Sequence, residues 1–429
     1  MVSDILAFGL ERGRCTVTTN TNWAGNITYG ASTFARPRSL DELRHVVTGG
    51  RRVRPLGSRH SFNTIADTDG VLISTVGLPG DIQIDTAARQ VSVGGGVTYG
   101  VLAPVLQAQG WALANLASLP HISVAGAVST GTHGSGDGNQ SLAAAVAGID
   151  LMGPDGVIRT LSRGDADFVG SVVGLGALGI ITRLVLDIEP TFDLWQAVYT
   201  GMPWSTVLDD YDAITRDHYS VSIFTTWQHD EVDQVWLKDR DGAPPAELLG
   251  ATRSGIPLHM LRDADTAAIT DQTGDRGPWA QRLPHFRLEF TPSRGEELQS
   301  EYLVPRAVAR DALQALRVLG SSMREVLQVA EIRSIAADDL WLSPAYGADV
   351  VAVHFTWLRE PAAVESVLHP IEDALLPMGA RPHWGKVFVA HAEQLARSYP
   401  RWRDFAELRE RVDPQHVFGN AWLDRILPG

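Results

Sequence analysis

Arg54-Pro-Leu-Gly-Ser-Arg-His60-Ser-Phe-Asn63 sets the terms for the whole chain. It follows the short apolar entry at Val53 and runs into polar turn residues, the pattern of a strand end opening into a tight loop. Pro55 removes one backbone donor. Gly57 frees the chain to take φ > 0, or to approach another group with no Cβ in between. The amides of Gly57 through Ser61 can then converge on one concavity, a nest suited to phosphate oxygens, with His60 carried inside it. Alone, the stretch also fits an ordinary Gly/Ser turn with a surface histidine, because short Gly-rich motifs recur by chance. Its neighbours tip the balance.

Upstream, Asn22-Trp-Ala-Gly-Asn26 is a turn-rich lead-in. The run from Ser39 reads as a capped helix, with Ser39 as N-cap and Glu42 completing a capping box. Downstream, 71–74, 82–85 and 90–93 alternate as short strands, and a helix is expected over 97–110. Small strands and helices without regular βαβ repeats make an α+β pattern. The run 114–136 carries few charges and several apolar residues, among them Leu116, Ile122 and Val128. A loop that long inside a compact domain is functional or disordered, and the apolar residues argue against disorder. It reads as a backbone-lined cleft over something extended and polar, with a Gly/Ala-rich packing helix as the alternative. Gly174-Leu-Gly-Ala-Leu-Gly179 matches G-x-G-x-x-G, but the β-branched run 180–188 follows where a helix is required, and Asp187 comes too early. The glycines are better suited to close backbone approach to a ligand.

After Pro190 the texture changes, with Trp195, Trp204, Trp227 and Trp236 among β-branched runs. The expected division is 1–190, 191–375 as an α+β substrate-facing domain, and 376–429 as a turn-rich tail around 413–420 that returns to the first domain. At 429 residues the chain exceeds one compact core. With 44% apolar and 20% charged residues it has the composition of a soluble globular protein. No apolar run approaches the roughly 18 residues of a membrane span. Asp4, Glu11, Arg12 and Arg14 around a short apolar patch do not make a secretion signal, so a cytoplasmic protein is expected. Cys15 is the only cysteine, which excludes an internal disulfide, and no metal site is expected. A net charge of −14 argues against nucleic acid.

Three later segments place polar groups on apolar elements. Glu331 and Arg333 share one face of a strand, as do His354 and Thr356, with Val351, Val353, Phe355 and Trp357 on the opposite face. His383 and Lys386 lie on a Pro-bounded turn. Singly, these fit a solvated strand face, a core histidine and a snorkelling lysine. Together they suit a pocket that fixes several hydroxyl groups, where unmatched polar partners enforce discrimination. Gly134-Ser-Gly136 lacks the spacing of a nucleophile elbow and no His-Glu-x-x-His zinc motif occurs, so a cofactor should supply the hard chemistry.

These strings, with Ala117-Ser-Leu-Pro-His-Ile-Ser-Val-Ala-Gly126, Thr130-Gly-Thr-His-Gly-Ser-Gly136, Trp341-Leu-Ser-Pro-Ala-Tyr346 and Arg381-Pro-His-Trp-Gly-Lys-Val-Phe388, resemble the vanillyl-alcohol oxidase flavoprotein superfamily. Within it they resemble the bacterial alditol (xylitol) oxidases, over nearly the full length. The resemblance implies a two-domain FAD-binding fold with an α+β cap, and FAD attached covalently through an 8α-histidyl bond at His60. Pro55, Leu56, Gly57, Ser58, Arg59, Ser61, Ala117, Ser118, Ser123, Gly126, Thr130, Gly131, Thr132, His133, Ile180, His383 and Asn420 would complete the cofactor site. Ser118, Glu331, Arg333, His354, Thr356 and Lys386 would bind a linear polyol such as xylitol or sorbitol. Its C1 hydride would pass to flavin N5 while Arg333 and Lys386 stabilise the developing alkoxide, and Glu331 would orient Arg333. O2 would be reduced to H2O2 in the space that the small Ala117 leaves. A monomer acting on a small molecule is expected, with no nucleic-acid or membrane partner. The family often has Gly where Arg59 stands, a departure that bears on flavin attachment. A sugar-lactone oxidase, or a flavin dehydrogenase using another acceptor, is the alternative.

Overall fold

The computed structural model describes residues 20–290 and 297–427; the readings on Asp4, Glu11, Arg12, Arg14 and Cys15 lie outside them. Between 33 and 187 the strands form two small sheets, apart from Trp111–Ala112, which pairs with Glu189–Pro190. Thr33–Ala35, Val71–Ser74 and Val53–Leu56 pair in parallel in that order. Ile82–Asp85, Gln90–Gly94, Ile180–Asp187, Val146–Met152 and Ile158–Ser162 make an antiparallel five-stranded sheet. From 193 to 382 the strands belong to one ten-stranded sheet, whose centre runs Ser220–Thr225, Leu327–Ile335, Val350–Leu358, Glu297–Pro305.

Period-2 alternation decides what the large sheet buries. Val351, Val353, Phe355 and Trp357 join one hydrophobic cluster with Leu313 and Leu316 of the Ala309–Met323 helix and Val364, Leu368 and Ile371 of the Pro361–Leu375 helix. The polar residues between them turn to the other face. Arg306 ties the two halves of the chain, pairing with Asp137 at 2.7 Å and with Asp212 at 2.7 Å.

The helix expected from Ser39 spans Leu40–Gly49, and the Ser39 hydroxyl accepts from the Glu42 amide at 3.1 Å. The reciprocal half of the capping box is absent: the Glu42 carboxylate accepts the Arg38 amide instead. In the run 114–136 both readings hold in part, since Val124–Ser129 is a short helix capped by Ser123 and the flanking residues are loop. The tail carries three helices (Ala392–Ser398, Trp402–Val412, Ala421–Ile426) besides its turns at 384–386 and in 413–420. The turn signals there are real, but amphipathic spacing on either side wins. Among the described residues no helix is long and apolar enough to cross a membrane.

Arg54 fastens these pieces at the entry to the histidine loop. Its guanidinium is 1% exposed and faces no carboxylate; it donates to the carbonyls of Leu175 (2.9 Å), Gly176 (2.8 Å), Phe418 (2.8 Å) and Ile65. Loss of these donors strands several buried acceptors at about 1–3 kcal/mol each, not fully additive. Arg54→Met is therefore expected to destabilise the protein by about 3 kcal/mol or more and to lower the midpoint of thermal unfolding by several degrees, followed by circular dichroism.

Candidate active site

A cavity of about 680 Å³ opens between the histidine loop and the polar face of the large sheet. Its first side is lined by Pro55 through Ser61, Ala117, Ser118, Ser123, Gly126, Thr130, Thr132 and His133. The two loops meet closely. Ser58 Oγ accepts the Ser123 amide at 3.0 Å, and a Cβ on Gly57 would fall 2.4 Å from Ser123 Oγ, so a larger residue there would displace the hydroxyl that caps the 124–129 helix. Arg59 adopts φ 65°, the left-handed region that glycine enters without strain. His60 is held down to a pKa of about 4, first by burial and then by His121, so its imidazole is neutral. Its Nδ1 is buried with no hydrogen-bond partner among the described residues.

The opposite side carries a cluster of charges around a residue that the sequence reading missed. Glu301, 1% exposed, accepts from Arg333 Nη2 at 2.5 Å and from Lys386 Nζ at 2.6 Å, with His133 Nε2 at 3.4 Å. Lys386 Nζ also donates to His354 Nδ1 at 2.7 Å. An ammonium has only donors, so the His354 proton sits on Nε2 and faces Thr356 Oγ1 at 3.1 Å. Arg333 Nε lies 3.6 Å from Glu331 Oε1, and Arg333 Nη1 reaches Ser118 Oγ at 3.5 Å. Glu331 Oε1 is buried without a hydrogen-bond partner among the described residues.

Strand register explains the assembly. Glu301 pairs with His354, which pairs with Glu331; Gln299 pairs with Thr356 one step along. One face of three adjacent strands therefore presents Glu331, His354 and Glu301 in a row. Alternation of Glu297, Gln299 and Glu301 with Leu298, Ser300 and Tyr302 was the signal available for Glu301.

Burial alone would raise Glu301, but Lys386, His133 and Arg333 hold it well below the usual carboxylate range. Burial lowers Lys386 from its ordinary 10.5, and Glu301 opposes that fall. Burial, with Lys386 adding to it, holds His354 well below 6.5. Behind the row, His285 Nε2 stands 3.6 Å from Glu331 Oε1. Phe224, Met260, Leu261, Phe286 and Val329 give the cavity an apolar wall beside the polar one.

The two sides are joined directly. Phe62 N donates to Gly385 O at 2.8 Å, and the Asn63 amide donates to Trp384 O (2.9 Å) and Lys386 O (2.7 Å). His383 Nε2 stands 3.4 Å from Thr132 Oγ1. Three candidates lie elsewhere. Ile180 is fully buried in a cluster with Leu43, Val47 and Val53, while its neighbours Gly179 and Ile181 line the cavity. Asn420 caps the last helix, and its amide is spent on the carbonyls of Thr64, Ile65 and Asp67. Gly131, at φ 66°, lies outside the lining.

The backbone-lined groove and the neutral imidazole with an unpartnered nitrogen fit an organic cofactor. Residues 31–162 match an FAD-binding domain family, and residues 291–426 match the D-arabinono-1,4-lactone oxidase family. The chain is 46% identical to the alditol oxidase of a Streptomyces species, over 95% of this chain and 99% of that protein. It is 32% identical to an L-gulono-1,4-lactone dehydrogenase of Mycobacterium tuberculosis, over 95% and 98%. Cholesterol oxidase from B. sterolicum superposes with a TM-score of 0.77 at 14% identity, covering 95% of this chain and 96% of that one, a likeness of fold. The chain belongs to the alditol oxidase family of vanillyl-alcohol-oxidase-type flavoproteins, and it is an FAD-dependent oxidoreductase.

Proposed function

We propose that the protein oxidises the terminal primary alcohol of a linear polyol to the aldose and reduces O2 to H2O2. The observation that carries this reading is the buried Glu301–Arg333–Lys386–His354 cluster facing the cavity with Glu331, Thr356 and Ser118 beside it. Such a wall supplies donors and acceptors to several hydroxyls at once, and the apolar wall beside it suits the C–H faces of the carbon chain. Bound FAD would supply the two-electron acceptor chemistry, with O2 as the final oxidant. Residues 1–190 would hold it, 191–375 would supply the polar wall, and 376–429 would bring Lys386 back to the histidine loop.

In this reading Arg333 and Lys386 lie at the carbinol oxygen and stabilise the charge that grows as its proton leaves. Glu301 holds both cations in place. Glu331 Oε1, short of a partner, accepts from a second substrate hydroxyl. Ser118 and Thr356 orient the rest of the chain. His60, neutral and with Nδ1 unpartnered, is the attachment point for the cofactor. A sugar-lactone substrate is the second reading, favoured by the family matched over residues 291–426. Peroxide release separates the two: xylitol should give peroxide at least tenfold faster than an aldonolactone, and the reverse order would overturn the polyol reading.

Glu301→Gln should lower kcat/KM for the polyol about 100-fold, because it leaves two buried cations without their counter-ion. Activity should fall as pH rises through the Lys386 pKa, below 10.5, because the protonated amine is the working form. Removing Glu301 takes away the charge that raises that pKa, so Glu301→Gln should move the alkaline limb to lower pH. His354, neutral throughout, should contribute no acid limb near 6.5. The pH profile of kcat/KM checks both signs. Acid precipitation tests attachment: wild-type protein should keep its yellow colour in the pellet, and His60→Ala should release it to the supernatant.

A further inference from the structure

The sequence from Thr21 to Thr28 forms a closed turn that touches the histidine loop at several points. The turn is rigid in itself. Thr21 and Thr28 form an antiparallel bridge, Asn22 N donates to Ile27 O at 3.0 Å, and the Asn22 side chain binds Asn26 Oδ1 at 2.7 Å and the Ile27 amide at 3.0 Å. Gly25, at φ 67°, lets it reverse. It then grips the loop. Trp23 N donates to Arg59 O at 2.9 Å, Asn22 Nδ2 to Ser61 O at 2.9 Å, and Asn26 Nδ2 to Phe62 O at 2.9 Å. These bonds bracket His60 on both sides. A further contact is on His60 itself: the Trp23 ring stacks on the imidazole with centroids 5.2 Å apart and planes 24° from parallel.

We propose that this turn is a positioning clamp for His60, and that the Trp23 ring holds the imidazole in the orientation that cofactor attachment requires. Nδ1 has no hydrogen-bond partner among the described residues, and Trp23 covers one face of the ring, so packing against the indole restricts how the imidazole can turn. Arg59, at φ 65°, adds to the need: a residue with a Cβ held in the left-handed region requires outside contacts, and its carbonyl is the group the Trp23 amide takes.

The clamp rests on the proposed attachment at His60. Attachment joins an imidazole nitrogen to the flavin 8α-methyl carbon. One N–H and one C–H bond break, and the two protons and two electrons go to O2 as H2O2. A reaction between two held groups depends steeply on their orientation.

The test compares wild type, Trp23→Leu, Trp23→Phe and His60→Ala, each purified as holoprotein, by the fraction of total flavin that stays with the chain in a denaturing gel. Trp23→Leu is expected to bind FAD but to attach it at least tenfold more slowly on incubation with added FAD, and Trp23→Phe to attach near the wild-type rate. Equal attachment in Trp23→Leu and wild type would overturn the clamp, as would a Phe variant as slow as the Leu variant. No covalent flavin in wild type would instead remove the attachment reading. Carbethoxylation of His60 by diethyl pyrocarbonate, located by peptide mass, then still reads the clamp: Trp23→Leu should react at least fivefold faster than wild type, and an equal rate would refute it. If the Leu variant does not fold, Asn26→Ala, which frees the loop and keeps the ring, is measured the same way. It should attach FAD several-fold more slowly and expose His60 to the reagent, and wild-type values in both assays would count against the clamp.

Discussion

One buried carboxylate organises the polar wall of the cavity. Glu301 lies on the central sheet with almost no solvent contact, where an unpaired charge would be prohibitively costly. Arg333 and Lys386 meet its two oxygens at 2.5 and 2.6 Å, and His133 approaches from the side of the histidine loop. Each charge is tolerable there only because the others are present. The cost of desolvating the set is recovered as preorganisation: two cations are fixed at one end of the cavity before any substrate arrives.

The same lysine couples the two halves of the chain. Its side chain belongs to the Glu301 cluster, and its carbonyl accepts from Asn63, three residues beyond His60. The histidine loop is thus registered against the polar wall by hydrogen bonds to the carbonyls of 384–386, and it is strapped from the far side by the turn at 21–28. Any shift of the loop away from the wall would lengthen these hydrogen bonds. A two-electron transfer between a held cofactor and a held alcohol needs that kind of mutual registration.

Much of this was legible in the sequence because it follows from local rules. Alternation put Glu331 with Arg333 and His354 with Thr356, and the strand at 180 ruled out a nicotinamide fingerprint at Gly174. What stayed hidden depends on long-range register. Glu301 sits beside Gln299 and Glu297 in a stretch that reads as a solvated strand face. Only its pairing with His354, 53 positions away in the chain, turns that face inward. Asn420 and Ile180 carry polar-turn and strand signals that the fold spends on a helix cap and a core cluster. Trp23 lies in a turn whose local pattern says nothing of a stacking partner, and Arg59 gives no sign in its residue type of its left-handed backbone.

The claim that Glu301 and Lys386 act as one unit is tested most directly by a double-mutant cycle on the anaerobic bleaching of the flavin by xylitol. Glu301→Gln, Lys386→Met and the double variant should be slowed to similar extents, with a coupling of about 2 kcal/mol or more, as expected for groups in one network. Losses that simply multiply in the double variant would mean two independent contributions and would contradict the arrangement described here.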